Sequence, residues 1–137
     1  MTNQDHPIVL MTHTLPADWI SSLQGKCQLL VGPVDATIFA ADLLDHIHEA
    51  QGLFTLLTIP VDVDILSREP LLRVISNMAV GVDNIDLPAC TQRVIPVRNT
   101  PGVLTEGTAD LTMGLILSIA RNLPQAREDA LDGRWKT

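Results

Sequence analysis

Residues 8–31, IVLMTHTLPADWISSLQGKCQLLV, contain the pattern that decides the fold. The run Ile8–Met11 is apolar throughout, which is typical of a strand buried on both faces of a parallel sheet. Pro16 opens a helical stretch that ends at Gly25, and a second apolar strand follows at 27–31. The order strand, helix, strand is typical of α/β proteins.

The same alternation continues through the next seventy residues. Asp62 and Asp86 each stand where a helix should begin, and each is expected to cap that helix. Capping is also preferred over an acid–base pair formed by Asp62 and Asp64. Five short strands separated by helices predict a doubly wound parallel sheet. The remaining predicted strands are 53–59, 71–76 and 95–97, with helices at 37–50, at 62–67 and from Asp86 onward.

The longest predicted helix runs from Thr105, its expected cap, to Leu131. Residues 111–120 of this helix carry no charge and are apolar on nearly every face. A helix of this kind requires burial on more than one side. We therefore expect a second chain or a further domain to cover it.

Composition excludes several classes of function. The chain has 137 residues, of which 46% are hydrophobic and only 3% aromatic, with a formal net charge of -7. An acidic, aromatic-poor protein is a poor partner for nucleic acid, and its charge also disfavours anionic membranes. Cys27 and Cys90 form no CxxC motif and are expected to pack as small hydrophobic residues in a cytoplasmic protein.

Several catalytic and binding motifs are absent from the sequence. It contains no GxGxxG dinucleotide fingerprint, no phosphate-binding P-loop, no GxSxG and no HExxH. His46 and His48 are two residues apart on a predicted helix, so they do not face one metal ion. We predict no metal site.

Four segments of the second half carry a specific signal: Ser76–Asp86 (SNMAVGVDNID), Asn99–Glu106 (NTPGVLTE), Thr108–Asp110 (TAD) and Gly133–Trp135 (GRW). In this order and spacing they resemble the D-isomer-specific 2-hydroxyacid dehydrogenases, most closely the glyoxylate/hydroxypyruvate reductase branch. The resemblance implies a flavodoxin-like substrate domain and a separate Rossmann domain that binds NAD or NADP. It also places the catalytic arginine, histidine and carboxylate in the middle of the polypeptide, beyond residue 137.

By this resemblance, residues 1–103 are the N-terminal part of the substrate domain. Residues 104–137 are an inter-domain helix that leads to an absent Rossmann domain. No catalytic residue is then expected in this chain, and the chain alone is expected to be inactive. The substrate would be a small 2-oxo or 2-hydroxy acid.

The resemblance also implies roles for individual residues. The backbone amides of Val80 and Gly81 would hold the substrate carboxylate, and Leu57 would form a wall of the same pocket. Thr108 would approach the nicotinamide cofactor. Gly81 could instead serve only a tight turn, and Thr108 could be only a hydroxyl at a helix start.

One residue departs from the family pattern, because Val94 stands where the family usually has glycine. That position often needs a positive φ, so we predict a different turn or local strain of roughly 1 kcal/mol or more. The strain concerns the scaffold and not the ligand site.

Two other functions compete with the dehydrogenase. A phosphoacceptor receiver is disfavoured, because 11–14 and 59–60 offer no acidic residues where a receiver needs them. A non-catalytic flavodoxin-like interaction module remains an alternative, motivated by the apolar helix 105–131. The same helix is the expected surface for a homodimer.

Overall fold

The computed structural model describes residues 6–134, and the chain divides into two compact units at the boundary between Pro101 and Gly102. The first unit contains one sheet of five parallel strands in the order β2-β1-β3-β4-β5. This order is that of flavodoxin-like folds, and it confirms the predicted α/β class and parallel five-stranded sheet. The strands are β1 (Ile8–Met11), β2 (Gln28–Val31), β3 (Gly52–Thr55), β4 (Val74–Asn77) and β5 (Val97–Arg98).

Short helices connect the strands. The predicted caps are confirmed: the Asp62 carboxylate accepts from the Ile65 N–H at 2.9 Å, and Asp86 accepts from the Ala89 N–H at 2.9 Å. Each cap satisfies a backbone donor that a helix start leaves without an intrahelical partner. The helices of this unit are α1 (Ala17–Ile20, continued by a 3-10 turn at Ser21–Leu23), α2 (Ala41–Asp45, followed by a 3-10 turn at Ile47–Glu49), α3 (Val63–Arg68) and α4 (Leu87–Gln92).

One layer of aliphatic side chains crosses the sheet and holds its strands in register. Leu10 pairs with Leu53, Leu53 with Ile75, and Ile75 with Val97. The first three are at most 2% exposed. Burying each such side chain stabilises the fold by about 1.5–3 kcal/mol. The layer therefore stabilises the register in which these four strands pair.

Several predicted boundaries are wrong, because an apolar run does not show where strand pairing stops. Strand β3 ends at Thr55, and the Ile59 N–H then donates to the Leu56 carbonyl at 3.2 Å in a turn. Strand β4 begins three residues later than predicted, β5 two residues later, and the helix predicted at 37–50 shortens to α2 and one 3-10 turn.

The second unit, described from Gly102 to Arg134, contains α5 (Thr105–Ala120) and α6 (Leu123–Leu131). The prediction of one continuous helix over 105–131 is therefore wrong. Asn122 adopts a left-handed conformation with φ 51, and Pro124, in the first turn of α6, has no N–H to continue α5. Thr105 is also not the cap: Leu104 occupies that position, without a side-chain cap bond.

No residue of α5 or α6 is buried. The apolar side chains predicted for residues 111–120 are exposed in this chain. Their cover by a second chain or a further domain stays a prediction. In the same range no helix combines the length and the apolar character that crossing a bilayer demands.

The turn between α4 and β5 shows the predicted backbone problem. Val94 has φ 56, in the left-handed region, and its side chain is 86% exposed. A β-branched residue is costly there because its Cβ crowds the backbone. Because the side chain is so exposed, its own packing offsets little of this strain.

Beside this turn lies a buried carboxyl group. Glu69 is fully buried, and among residues 6–134 neither of its carboxylate oxygens has a hydrogen-bond partner. Burial raises the pKa of Glu69 to about 8, and the Arg93 guanidinium opposes that rise. Arg93 itself donates to the backbone carbonyls of Leu66 and Glu69. Glu69 is therefore a neutral acid at pH 7.

The two cysteines are free thiols, and Cys90 is 1% exposed within the core, as predicted for a small hydrophobic residue. Burial raises the pKa of the Cys90 thiol, and Asp86 adds to that rise. Cys27 is half-buried, whereas His46 and His48 are exposed. Within residues 6–134 no group of three or more potential metal ligands comes together.

Candidate functional site

Ligands of doubly wound sheets bind where the carboxyl ends of the strands meet. In this chain β1, β3 and β4 are neighbours, so the segments that follow them emerge side by side. The Met78 N–H donates to the Thr55 carbonyl at 2.8 Å, which ties the ends of β4 and β3 together. The loop after β4 holds the predicted residues Val80 and Gly81.

Three successive backbone carbonyls of this loop are held by hydrogen bonds. The Ala79 carbonyl accepts from the Thr100 N–H at 2.8 Å. The Val80 carbonyl accepts from Asn99 Nδ2 at 2.7 Å, and the Gly81 carbonyl from Asn77 Nδ2 at 2.9 Å. These bonds fix the orientation of three consecutive peptide planes.

The N–H groups of the same loop are available. Across the described residues 6–134, the N–H groups of Val80 and Gly81 donate to no protein acceptor. Because a trans peptide points its N–H away from its carbonyl, each held carbonyl directs the next N–H to the opposite side. Two adjacent amides directed in this way can donate to an anion.

Gly81 is not in the left-handed region, since the positive-φ glycines of the described chain are Gly25, Gly102 and Gly133. A Cβ built on Gly81 would lie 3.0 Å from Asp83 Oδ2. Glycine thus serves no unusual backbone conformation here, and an added Cβ would meet only the end of the exposed Asp83 side chain. The exposed Asp83 carboxylate disfavours a bound anion, although solvent screens that repulsion.

Two asparagines connect the loops after β3 and β4. Asn77 is 1% exposed, and its Nδ2 also donates to Asn84 Oδ1 at 3.1 Å. Asn84 Nδ2 donates to the carbonyls of Leu56 at 3.1 Å and Ile59 at 3.0 Å. From the sequence, Asn84 is a turn residue and Asn77 has no predicted role. The Asn84 contacts to Leu56 and Ile59 join residues 28 and 25 apart, so no local sequence pattern indicates them.

Leu57 does not lie in a strand, because it follows the end of β3 by two residues and is 57% exposed. It lines a depression of about 620 Å³ together with Pro60, Asp83 and Asn84, among others. Val80 and Gly81 are not among the residues that line it. The structure therefore places Leu57 near the loop after β4 through Asn84, but not in one cavity with the two amides.

A buried histidine with no function predicted from the sequence lies at the end of β1. His13 is 5% exposed; its Nδ1 lies 2.8 Å from Thr12 Oγ1, and its Nε2 lies 2.9 Å from the Ala36 carbonyl. Thr58 Oγ1 also donates to that carbonyl, at 3.1 Å. Both ring nitrogens are engaged, so His13 connects segments of the scaffold and has no free nitrogen for chemistry.

Thr108 lies in the first turns of α5, in the second unit, and its side chain is exposed. Its N–H donates to the Leu104 carbonyl at 2.9 Å, as expected near a helix start. The 137-residue sequence has no glycine-rich dinucleotide loop. Residues 6–134 show no such loop, and no reaction step through a cofactor follows from these residues.

Comparisons with known proteins agree with this fold. Residues 9–135 match the family model described as D-isomer specific 2-hydroxyacid dehydrogenase, catalytic domain. A glyoxylate reductase of Korarchaeum cryptofilum is 35% identical over 130 residues, which cover 95% of this chain and 39% of that protein. The chain thus spans about two fifths of the length of the curated relatives it matches.

Solved structures give the same result. The TT0316 protein of Thermus thermophilus superposes with a TM-score of 0.79 at 38% identity, over 95% of this chain and 42% of that one. An NADPH-dependent glyoxylate/hydroxypyruvate reductase of Sinorhizobium meliloti, crystallised with NADP and malonate, gives 0.67 at 29% identity, over 95% and 39%. The chain belongs to the D-isomer specific 2-hydroxyacid dehydrogenase family and contains sequence of its catalytic domain.

Proposed function

We propose that this chain supplies the carboxylate-binding part of an NAD(P)-dependent oxidoreductase that interconverts small 2-oxo acids and D-2-hydroxy acids. The substrates would be of the glyoxylate or hydroxypyruvate type. The observation that carries the proposal is the pair of directed, available N–H groups at Val80 and Gly81. The names of the relatives and the malonate and NADP bound to the Sinorhizobium protein support it.

The chemistry of the site is recognition. Hydrogen bonds from backbone N–H groups to a carboxylate are charge-assisted and roughly twice as strong as neutral ones. Two adjacent donors can engage the two oxygens of one carboxylate and so orient the neighbouring 2-carbon. Leu57, which lines the neighbouring depression, would offer an apolar surface to the rest of a small substrate from the loop after β3.

Hydride transfer lies outside what these residues can do. The nicotinamide cofactor, NAD or NADP, would bind mainly to sequence outside these 137 residues, with Thr108 as the contact from this chain. Residues 1–103 would belong to the substrate domain, and 104–137 would lead toward the cofactor domain. We propose that the oxidoreductase is cytoplasmic, because the two cysteines of this chain are unpaired.

The amide pair is tested by titrating the ¹⁵N-labelled chain with sodium glyoxylate. We expect saturable shifts of the Val80 and Gly81 amide resonances, because both N–H groups gain an acceptor. Glycolaldehyde, which lacks the carboxylate, is the control and should leave both resonances in place. Equal responses to the two compounds, or no response to glyoxylate, would contradict the proposed carboxylate site.

The expected inactivity of the chain alone needs a separate assay. The chain is incubated with glyoxylate and either NADH or NADPH, and absorbance at the nicotinamide band is followed. We expect no turnover, because the sequence lacks both a dinucleotide fingerprint and the catalytic groups that the resemblance places elsewhere. Clear turnover would disprove this part of the proposal.

A second candidate function is self-association or partner binding through α5. Leu111, Leu115 and Ile119 recur every four residues, and they are 64%, 55% and 77% exposed. Exposed apolar side chains on one side of a helix are typical of an interaction surface. We propose a homodimer through this surface, whether or not the chain is part of an enzyme. Sedimentation of the chain as a monomer at high concentration would argue against it.

A further inference from the structure

We propose that Asn99 is a positioning residue that directs the Gly81 N–H toward the bound carboxylate. The inference rests on the proposed function of the amide pair. It names a residue that neither the family match nor the sequence pattern connects with a ligand.

The Gly81 N–H belongs to the same peptide plane as the Val80 carbonyl. That carbonyl accepts the Asn99 Nδ2 hydrogen bond at 2.7 Å. Because the plane is rigid and trans, this single bond sets the direction of the Gly81 N–H. The neighbouring Val80 N–H is set differently, by the backbone bond from Thr100 to Ala79.

The peptide plane that follows Gly81 is also held by an asparagine. The Gly81 carbonyl accepts from Asn77 Nδ2 at 2.9 Å, which fixes the next peptide plane. Asn77 is 1% exposed, and its Oδ1 has no hydrogen-bond partner among residues 6–134. A buried amide that leaves its own acceptor unsatisfied is costly to the fold. Its presence is explained if the donor end is needed to hold this loop.

The two asparagines differ in how cleanly they can be replaced. Asn77 is buried and also bonds to Asn84, so replacing it would disturb the fold and the site together. Asn99 is exposed and follows the last residue of β5 directly. Its hydrogen bond to Val80 is its only side-chain bond within the described residues. Removing the Asn99 side chain therefore tests orientation with little effect on folding.

The experiment compares Asn99→Ala, Asn99→Gln and the control Gln92→Ala, which removes an exposed amide from α4. Each ¹⁵N-labelled chain is titrated with sodium glyoxylate and unfolded with urea. We expect Asn99→Ala to bind glyoxylate at least about fivefold more weakly, as for loss of one well-directed hydrogen bond. Its unfolding midpoint should match that of the control.

The decisive measurement compares the glyoxylate-induced shifts of the Val80 and Gly81 amide resonances. A purely structural role of Asn99 would not change one shift without the other. In Asn99→Ala the glyoxylate-induced shift should shrink at Gly81 and persist at Val80, whose plane Thr100 still holds. Asn99→Gln keeps a donor amide and should restore part of the affinity. Unchanged affinity in Asn99→Ala, equal loss at both amides, or no recovery in Asn99→Gln would overturn the inference.

Failure of the proposed function is distinguishable from failure of this inference. If the unmodified chain does not bind glyoxylate, the carboxylate site is wrong, and ¹⁵N relaxation of Gly81 still tests the positioning. Faster internal motion of the Gly81 N–H in Asn99→Ala would support the role of Asn99 in holding the peptide. Identical relaxation in the two chains would overturn it.

Discussion

Two turns of the first unit differ in how the residue type matches the backbone conformation. In the loop after β4, Gly81 has no positive φ, although glycine alone would tolerate one. In the turn before β5, Val94 has φ 56, where glycine would be free of strain. The loop that is proposed to bind a ligand is relaxed, and the strain lies in a turn with no proposed ligand.

The difference shows what each turn is held by. Hydrogen bonds from Asn77, Asn99 and the Thr100 backbone hold the loop after β4 from outside. The turn at Val94 closes through local bonds, with the Val94 N–H donating to the Thr91 carbonyl at 3.1 Å and the Ile95 N–H to the Cys90 carbonyl at 2.9 Å. Glycine at position 81 is proposed to give a ligand access to the main chain. At position 94, the hydrogen bonds of the neighbouring residues hold the backbone in the left-handed conformation.

The largest expected effect is on the free energy of unfolding, through Glu69 beside Arg93. Folded Glu69 keeps its proton up to about pH 8, whereas the unfolded chain releases it near 4.5. The free energy of unfolding should therefore fall as pH rises between these values, by up to about 1.4 kcal/mol per pH unit. Glu69→Gln should remove this dependence, measured by urea unfolding from pH 5 to 8.5.

The control for this prediction is Glu128→Gln in α6, because Glu128 is exposed and its replacement changes no buried carboxyl group. The fall in stability with pH should remain in this variant. Parallel profiles for the unmodified chain and Glu69→Gln would show that Glu69 does not carry the proton.

The next largest effect is expected on the affinity for glyoxylate. Gly81→Ala places a methyl group beside the two amides and should weaken glyoxylate binding about tenfold, or about 1.4 kcal/mol. Stability should change little, since the contact at 3.0 Å is the end of the exposed Asp83 side chain. NMR titration and urea unfolding measure the two quantities.

Gly107→Ala is the matched control, because a Cβ there meets nothing within 4 Å. If Gly81→Ala binds glyoxylate like the unmodified chain, the glycine is not needed for access, and the contrast between the two turns fails.

A smaller effect is expected from Val94→Gly. It should raise the free energy of unfolding by about 1 kcal/mol, because glycine relieves the left-handed backbone and the 86% exposed side chain loses little packing. Thermal unfolding should move up by roughly 4 °C, where the ranges for smaller and larger domains meet. The control Val103→Gly, at an exposed valine without positive φ, should bring no gain. A decrease in stability for Val94→Gly would show that the turn is not strained.

The smallest effect is expected from Val80→Ala. The donor at this position is the backbone N–H, and the side chain is 46% exposed. Glyoxylate affinity should therefore stay within about twofold of the unmodified chain, a difference of less than about 0.5 kcal/mol. A loss as large as that of Gly81→Ala would mean that the side chain, and not the main chain, recognises the ligand.

The sequence was sufficient for the features that depend on neighbours along the chain. The apolar runs predict all five strands. Asp62 and Asp86 can be predicted as caps because the N–H that each of them binds lies only three residues further along the chain. The strain at Val94 was also predicted, from a family pattern that has glycine there. Boundaries were harder, since Leu56–Ile59 continues the apolar run of β3 after its strand pairing has ended.

Features that depend on distant residues could not be predicted. The bridge from Asn84 to Leu56 joins residues 28 apart, and no local pattern marks either partner. The break between α5 and α6 has a visible signal in Pro124, but the apolar run before it favoured one long helix. The roles assigned by resemblance to Leu57, Val80, Gly81 and Thr108 stay predictions.

The placement of the donors in the main chain has a consequence for how this family can diversify. A recognition group made of N–H bonds survives almost any substitution at position 80, and proline is the one residue that would delete it. If the proposed carboxylate anchor is correct, selection or directed evolution can vary the side chains at positions 57 and 80 to accept larger acids while the main-chain donors stay constant. A saturation library at these two positions would distinguish the effect of the side chains on substrate preference from the contribution of the main-chain N–H groups to affinity.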